Sequence, residues 1–171
     1  MTHGAALPYK ALTNHTYARS LSYLRGRRRA VPSTDKSSLG RFYRSAMASR
    51  RPYRSRRGVA RGFEVLDGVR AGTYTKWQIV YEPRTLKIHF RLAGARGTKT
   101  VDVKRLAKSC ATPVRYLDLR SPASGDVSRH FKPLTLAVNR RRVEESLGRL
   151  HIAMKLLAPK VARYPLNARC R

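Results

Sequence analysis

The sequence predicts an α+β fold, an antiparallel strand meander flanked by helices. Two observations carry this. Residues 74–92 alternate with a period of two, in two runs divided by a proline turn. Four other stretches, 17–24, 38–48, 58–69 and 139–158, repeat apolar residues at helical spacing. The chain has 171 residues, of which 42% are hydrophobic, enough for one domain with a modest core and too many for a disordered chain.

The hairpin is the clearest element. Leu86, Ile88, Phe90 and Leu92 alternate with Lys87, His89 and Arg91, so one face is apolar and the other basic. In the first run Trp77, Ile79 and Tyr81 share a face, with Gln78 and Val80 on the other. β-Branched and aromatic residues dominate both runs. Glu82-Pro83-Arg84-Thr85 suits a type I turn, in which Pro83 pre-sets φ and no central residue needs positive φ.

The flanking elements follow in order. Residues 7–14 form a short extended piece. Asn14 or Thr16 caps a helix over 17–24, where Tyr17, Leu21 and Leu24 recur at helical spacing. Residues 25–29 are a basic loop and 32–38 a polar one. A helix from about 38 to 48 carries Leu39, Phe42, Ala46 and Met47 near one face. Residues 50–57 are the densest basic stretch, with Tyr53 inside it. A helix over 58–69 places Val59, Phe63 and Leu66 on one side. After the hairpin, 98–103 is a third strand continuing the meander, 109–112 a loop or bulge, and 114–119 a fourth short strand. Over 139–158 the residues Val143, Leu147, Leu150, Met154 and Leu157 form a helical stripe, with Asn139 as cap and Pro159 as stop. The tail from 163 is expected to fray.

The charge is extreme. Lys and Arg total 38 against 9 Asp plus Glu, a formal net charge of +29. Such a chain binds polyanions non-specifically at low salt, so nucleic acid, acidic membrane surfaces and acidic proteins are candidate partners. The arginines are spread along the whole chain, as an arginine-biased genome or a partner-binding surface would each produce. Cys110 and Cys170 have no metal-ligand or redox spacing. Cys110 reads as a buried thiol rather than a nucleophile, since no His or Asp stands at a catalytic spacing from it. No cofactor motif is present. No apolar run reaches the roughly 18 residues a membrane span needs, and the first residues do not read as a signal peptide, so a cytoplasmic location is the expectation.

Several pieces in order carry a family resemblance. These are the run from Tyr74 to Arg91, then Val101-Asp102-Val103, Ser109 to Val114, Leu117-Asp118-Leu119 and Gly125-Asp126-Val127. Together they resemble the C-terminal segment of the linear amide C–N hydrolases, the choloylglycine hydrolase and penicillin acylase group of N-terminal-nucleophile hydrolases. The likeness spans roughly residues 7 to 135, so it implies residues 1–135 as the C-terminal half of such a domain and leaves 136–171 as a C-terminal helix and basic tail. It implies a partial αββα fold and an acylated amide as substrate.

The resemblance also implies two site residues. A Thr-Asn pair before a helix matches the family segment whose Asn supplies an oxyanion-hole contact, which makes Asn14 the candidate. As a residue it equally reads as a helix cap. The Ser37-Ser-Leu-Gly-Arg-Phe-Tyr-Arg44 stretch resembles a Ser-x-x-x-Arg-Phe-x-Arg element whose first arginine lies in the family's active site. Arg41 is thus the second candidate. A guanidinium beside a cysteine lowers the thiol pKa and holds substrate oxygen.

The family's nucleophile is an N-terminal cysteine whose own α-amino group is its base. Position 2 here is Thr2, which would be exposed by removal of Met1, but it stands only twelve residues before Asn14. The expectation is a chain matching the C-terminal half of the family domain, without the nucleophile, inactive alone, and with an apolar sheet face left uncovered. The alternative class is a small basic RNA-binding protein, for example a ribosome-associated one.

Overall fold

Helix caps and close glycine contacts set the arrangement around the hairpin. The computed structural model describes residues 7–27, 29–50, 58–95, 97–106, 113–147 and 157–167. The chain is α+β and divides into two compact units, Met1–Thr98 and Lys99–Arg171. That division falls inside the 1–135 stretch.

In the first unit, α1 (Tyr17–Arg25), α2 (Ser38–Ser49) and α3 (Gly58–Gly68) pack in sequence, and α3 packs on β1 (Trp77–Glu82). Each helix start is local chemistry. Thr16 Oγ1 accepts from the Arg19 N–H and caps α1. Ser37 Oγ accepts from the Gly40 N–H at 3.0 Å and caps α2. Phe42, Ala46 and Ala11 form a buried cluster, with Tyr17, Leu21, Leu24 and Met47 packed against it. The Tyr17 and Phe42 rings meet edge to face, 5.9 Å between centroids. The Tyr17 hydroxyl also ties down residue 9, accepting from its N–H at 3.0 Å and donating to its carbonyl at 2.9 Å.

The hairpin forms as its alternation predicts. β1 pairs antiparallel with β2 (Lys87–Leu92), in a register from Trp77↔Leu92 to Glu82↔Lys87. The Thr85 N–H donates to the Glu82 carbonyl at 3.2 Å, as a β-turn requires. The loop holds four residues, however, and the return to strand register forces Leu86 to φ 56°. The central residues of the turn, Pro83 and Arg84, need no positive φ, as expected; the positive φ falls one residue after the turn. It also takes Leu86 out of the apolar row and leaves it exposed.

The helix α3 lies on the face expected to be polar and basic. A Cβ at Gly62 would sit 2.9 Å from Val80 Cγ2, so helix and strand approach closely there. Gln78 Nε2 donates to Asp67 Oδ1 at 2.9 Å. The Arg91 guanidinium stacks over the buried Phe63 ring, 4.0 Å from its centroid. Trp77 and Tyr81, on the other face, remain exposed.

The second unit holds β3 (Lys99–Asp102), β4 (Arg115–Tyr116), β5 (Gly125–Asp126), β6 (Lys132–Pro133), α4 (Leu136–Leu147) and α5 (Ala158–Arg163). β4 and β6 pair antiparallel. β3 and β5 pair in parallel, so the strand order departs from a pure meander. Val101 and Val127 are buried beside that pair, and Lys99 Nζ is held by the Ser121 and Ala123 carbonyls.

The helical stripe is corrected at both ends. The helix α4 begins at Leu136, with Thr135 Oγ1 accepting from the Val138 N–H. Asn139 is not a cap; its side-chain amide donates to the Ala162 carbonyl at 2.7 Å. Pro159 starts α5 rather than stopping a helix, at a position where a missing N–H costs nothing. Leu157 is exposed. Leu150 and Met154 lie outside the described residues, as do Thr2, Cys110, Cys170 and residues 51–57. The fourth strand is shortened to two residues. Asp118 turns the chain there by accepting from the Arg120 N–H on its side chain at 3.0 Å and from the Ser121 N–H on its carbonyl.

Candidate active site residues

The start of α2 gathers the polar groups of the first unit. Ser37 faces its own helix as cap. Ser38, the first residue of the helix, turns its hydroxyl outward and accepts the backbone N–H of Asn14 at 3.0 Å. Arg41 follows one turn later on the same helix face. Ser38 thus ties the Asn14 backbone to the start of the helix that carries Arg41. Asn14 is exposed, and its side-chain amide has no hydrogen-bond partner among the described residues. It does not cap α1, because Thr16 does.

Three buried side-chain atoms of the described residues have no hydrogen-bond partner: Thr13 Oγ1, Ser20 Oγ and Arg41 Nε. All three fall on the segments that pack around Phe42: the strand-like piece before α1, α1 itself and α2. Buried polar atoms are nearly always paired, so such a group needs an explanation. Ser20 is the sharpest case, being 1% exposed. Arg41 Nε is an N–H donor, so it wants an acceptor that the described residues do not supply.

The surrounding groups are held firmly. Arg44, the second arginine of the Ser-x-x-x-Arg-Phe-x-Arg stretch, donates three ways: Nε to the Gly68 carbonyl at 2.8 Å, Nη1 to Pro32 at 2.8 Å and Nη2 to the Asp35 carbonyl at 2.7 Å. It ties the loop before α2 to the end of α3. Asp35 closes over the first turn of α2, so a Cβ at Gly40 would lie 2.5 Å from its carboxyl carbon. Hydrogen bonds from Ser37, side chain first and then backbone N–H, hold the Asp35 carboxyl below the ordinary range. A carboxylate there stays charged at neutral pH.

One turn beyond Arg41, Ser45 lines a cavity of about 370 Å³ between α2, α3 and β1. Ala48, Val65, Leu66, Ile79 and Val80 give it an apolar wall, and Lys10 and Arg61 add two cations. Such a cleft takes an apolar group with an anionic end.

Sequence reasoning singled out Asn14 and Arg41 and missed Ser38 and Arg44. Ser38 was visible only as the second of two serines. Arg44 was visible as the last residue of the motif, without the three carbonyls it serves. Among the described residues no group of three His, Cys, Asp or Glu is placed to hold a metal, and no helix is long and apolar enough to cross a membrane. No family model and no curated protein matches the chain.

Proposed function

We propose that this chain contributes the C-terminal half of a linear amide C–N hydrolase of the choloylglycine hydrolase and penicillin acylase group, with Asn14 and Arg41 as its share of the active site. The supporting observation is the Asn14–Ser38 hydrogen bond, which ties the backbone of the exposed Asn14 to the start of the helix carrying Arg41. In this reading the nucleophile is a cysteine thiol from a segment other than those described. The thiol attacks the amide carbonyl, the Asn14 side-chain amide donates to the oxyanion that develops, and Arg41 holds a substrate oxygen. The α+β architecture is compatible with the same reading: α3 packs on one face of the hairpin, with α2 and then α1 packed behind it.

The test is complementation. The purified chain is mixed with a cysteine-initiated N-terminal half of a penicillin acylase from this group and assayed on penicillins and conjugated bile acids. Amide hydrolysis appears only in the mixture. Asn14→Ala lowers kcat by about a hundredfold or more, as loss of an oxyanion donor does. A mixture that co-elutes as a complex yet hydrolyses nothing, or one whose activity survives both Asn14→Ala and Arg41→Ala, would overturn the proposal.

A further inference from the structure

Trp77 is the one tryptophan of the chain, and it stands in the open, 59% exposed on the first strand of the hairpin. Tyr81 lies on the same strand face, four residues on and so roughly 13 Å away, and is 64% exposed. Tyr74, just ahead of the strand, is 87% exposed. Exposed single apolar residues are ordinary. Three exposed aromatic rings within eight residues, two of them on one strand face of the hairpin, form a surface.

Charge identifies what such a surface fits. At the Trp77 end a cleft of about 250 Å³ is lined by Trp77, Arg70, Arg91 and Asp67. Asp67 is the one carboxylate of that lining. It accepts from Gln78 at 2.9 Å and lies 3.8 Å from Arg91, so its charge is countered. Arg70 is exposed beside it. At the Tyr81 end, Arg84 is exposed on the loop, while Lys87 belongs to the opposite face, in register with Glu82. The whole chain carries +29. An apolar protein partner would leave these cations unmatched. A strand of nucleotides meets both requirements, since each base offers a π-face and each link a phosphate.

We propose that the exposed aromatic face of the β1–β2 hairpin binds single-stranded nucleic acid, with bases stacked on Trp77 and Tyr81 and a phosphate held by Arg70 in the cleft beside Trp77. Backbone charge supplies affinity and the rings supply sequence-tolerant stacking. This site lies on different residues from Asn14 and Arg41 and stands independently of the hydrolase reading.

The lone tryptophan reports on its own site. The full-length chain is titrated with a single-stranded oligouridine at low salt while Trp77 emission is recorded. Saturable quenching is expected, reversed by added salt. Heparin, a polyanion without bases, is expected to compete for the chain but to leave Trp77 emission unchanged. By anisotropy of a labelled oligonucleotide, Trp77→Ala and Tyr81→Ala each weaken binding by about tenfold, and Trp77→Phe largely restores it. Arg70→Ala reduces the salt slope by about one phosphate contact. Because these side chains are exposed, the variants are expected to fold, with unchanged far-ultraviolet circular dichroism as the check. Oligouridine binding without quenching, or equal quenching by heparin, would overturn the proposal. So would a concentration-dependent shift of Trp77 emission without nucleic acid, which would assign the face to contact between copies of the chain.

Discussion

The backbone N–H of Asn14 donates to Ser38 Oγ at 3.0 Å, and this bond fixes the extended piece before α1 against the first turn of α2. It separates two roles that the sequence left fused at Asn14. The backbone of Asn14 is structural, held by Ser38. The side chain is not engaged by the described residues. Replacing Ser38 by Ala should therefore free the Asn14 amide and cost about 1 kcal/mol, the usual net worth of such a bond. Hydrogen exchange at the Asn14 amide, slow in the parent and fast in the variant, measures it directly.

The caps give a matching pair of stability predictions. Thr16→Ala removes the side chain that accepts from the Arg19 N–H and should destabilise by about 1 kcal/mol. Asn14→Ala touches no cap and should stay within about 0.5 kcal/mol of the parent. Urea denaturation of both distinguishes them. An Asn14→Ala loss as large as that of Thr16→Ala would return Asn14 to the role of a helix cap.

The Gly40 position is more demanding. A Cβ there would fall 2.5 Å from Cγ and Oδ2 of Asp35, so the carboxylate must move away from Ser37. Gly40→Ala should cost about 1–3 kcal/mol as overpacking, although alanine is the better helix former. In an Asp35→Ala background the clash is gone and the same change should become neutral or stabilising by up to about 1 kcal/mol. The coupling read from the four proteins by denaturation is the check.

What was legible in the sequence is what local chemistry decides. The period of two over 77–92 and a cap at Asn14 or Thr16, of which the structure uses Thr16, are written within a few residues of where they act. The rest depends on groups distant in sequence. Leu86 takes positive φ because the two strands fix the register on either side of it. Asn139 looked like a cap because its type favours caps, but its amide is used by Ala162, 23 residues away. The parallel pairing of β3 with β5 skips β4 and leaves no trace in either strand's pattern. Asn14 and Arg41 were singled out through motif resemblance, and no periodicity would have shown that Ser38 ties the Asn14 backbone to the start of the helix that carries Arg41.

Acid stability should follow Asp126. Ser128 donates to its carboxylate through the hydroxyl and, at 2.9 Å, through the backbone N–H, and Arg105 lies 3.1 Å away. The Ser128 side chain is the largest cause holding the Asp126 carboxyl below its ordinary range. A depressed carboxylate binds its proton more weakly in the folded chain than in the unfolded one. Its contribution is thus present above the unfolded value of about 4 and is lost as pH falls through the lower folded value. Asp126→Asn should flatten the fall in stability over that acid range and leave the neutral range flat. Thermal melts from pH 6 down to pH 2 test this, and an unchanged acid slope would remove Asp126 from the account.

The two arginines of the α2 motif should behave oppositely. Arg44 spends its guanidinium on three carbonyls, those of Pro32, Asp35 and Gly68. A lysine reaches one point and not three, so Arg44→Lys should lose two bonds and cost about 2–3 kcal/mol. Arg41 has its Nε buried and unpaired, which is a cost to the fold rather than a gain. Arg41→Ala should therefore leave stability unchanged or raise it, while abolishing function in the complemented hydrolase. A residue kept against stability is one placed for what it binds. Denaturation midpoints of the two variants, side by side, decide the matter: if Arg41→Ala unfolds as early as Arg44→Lys, Arg41 is a structural residue and the candidate site loses its second member.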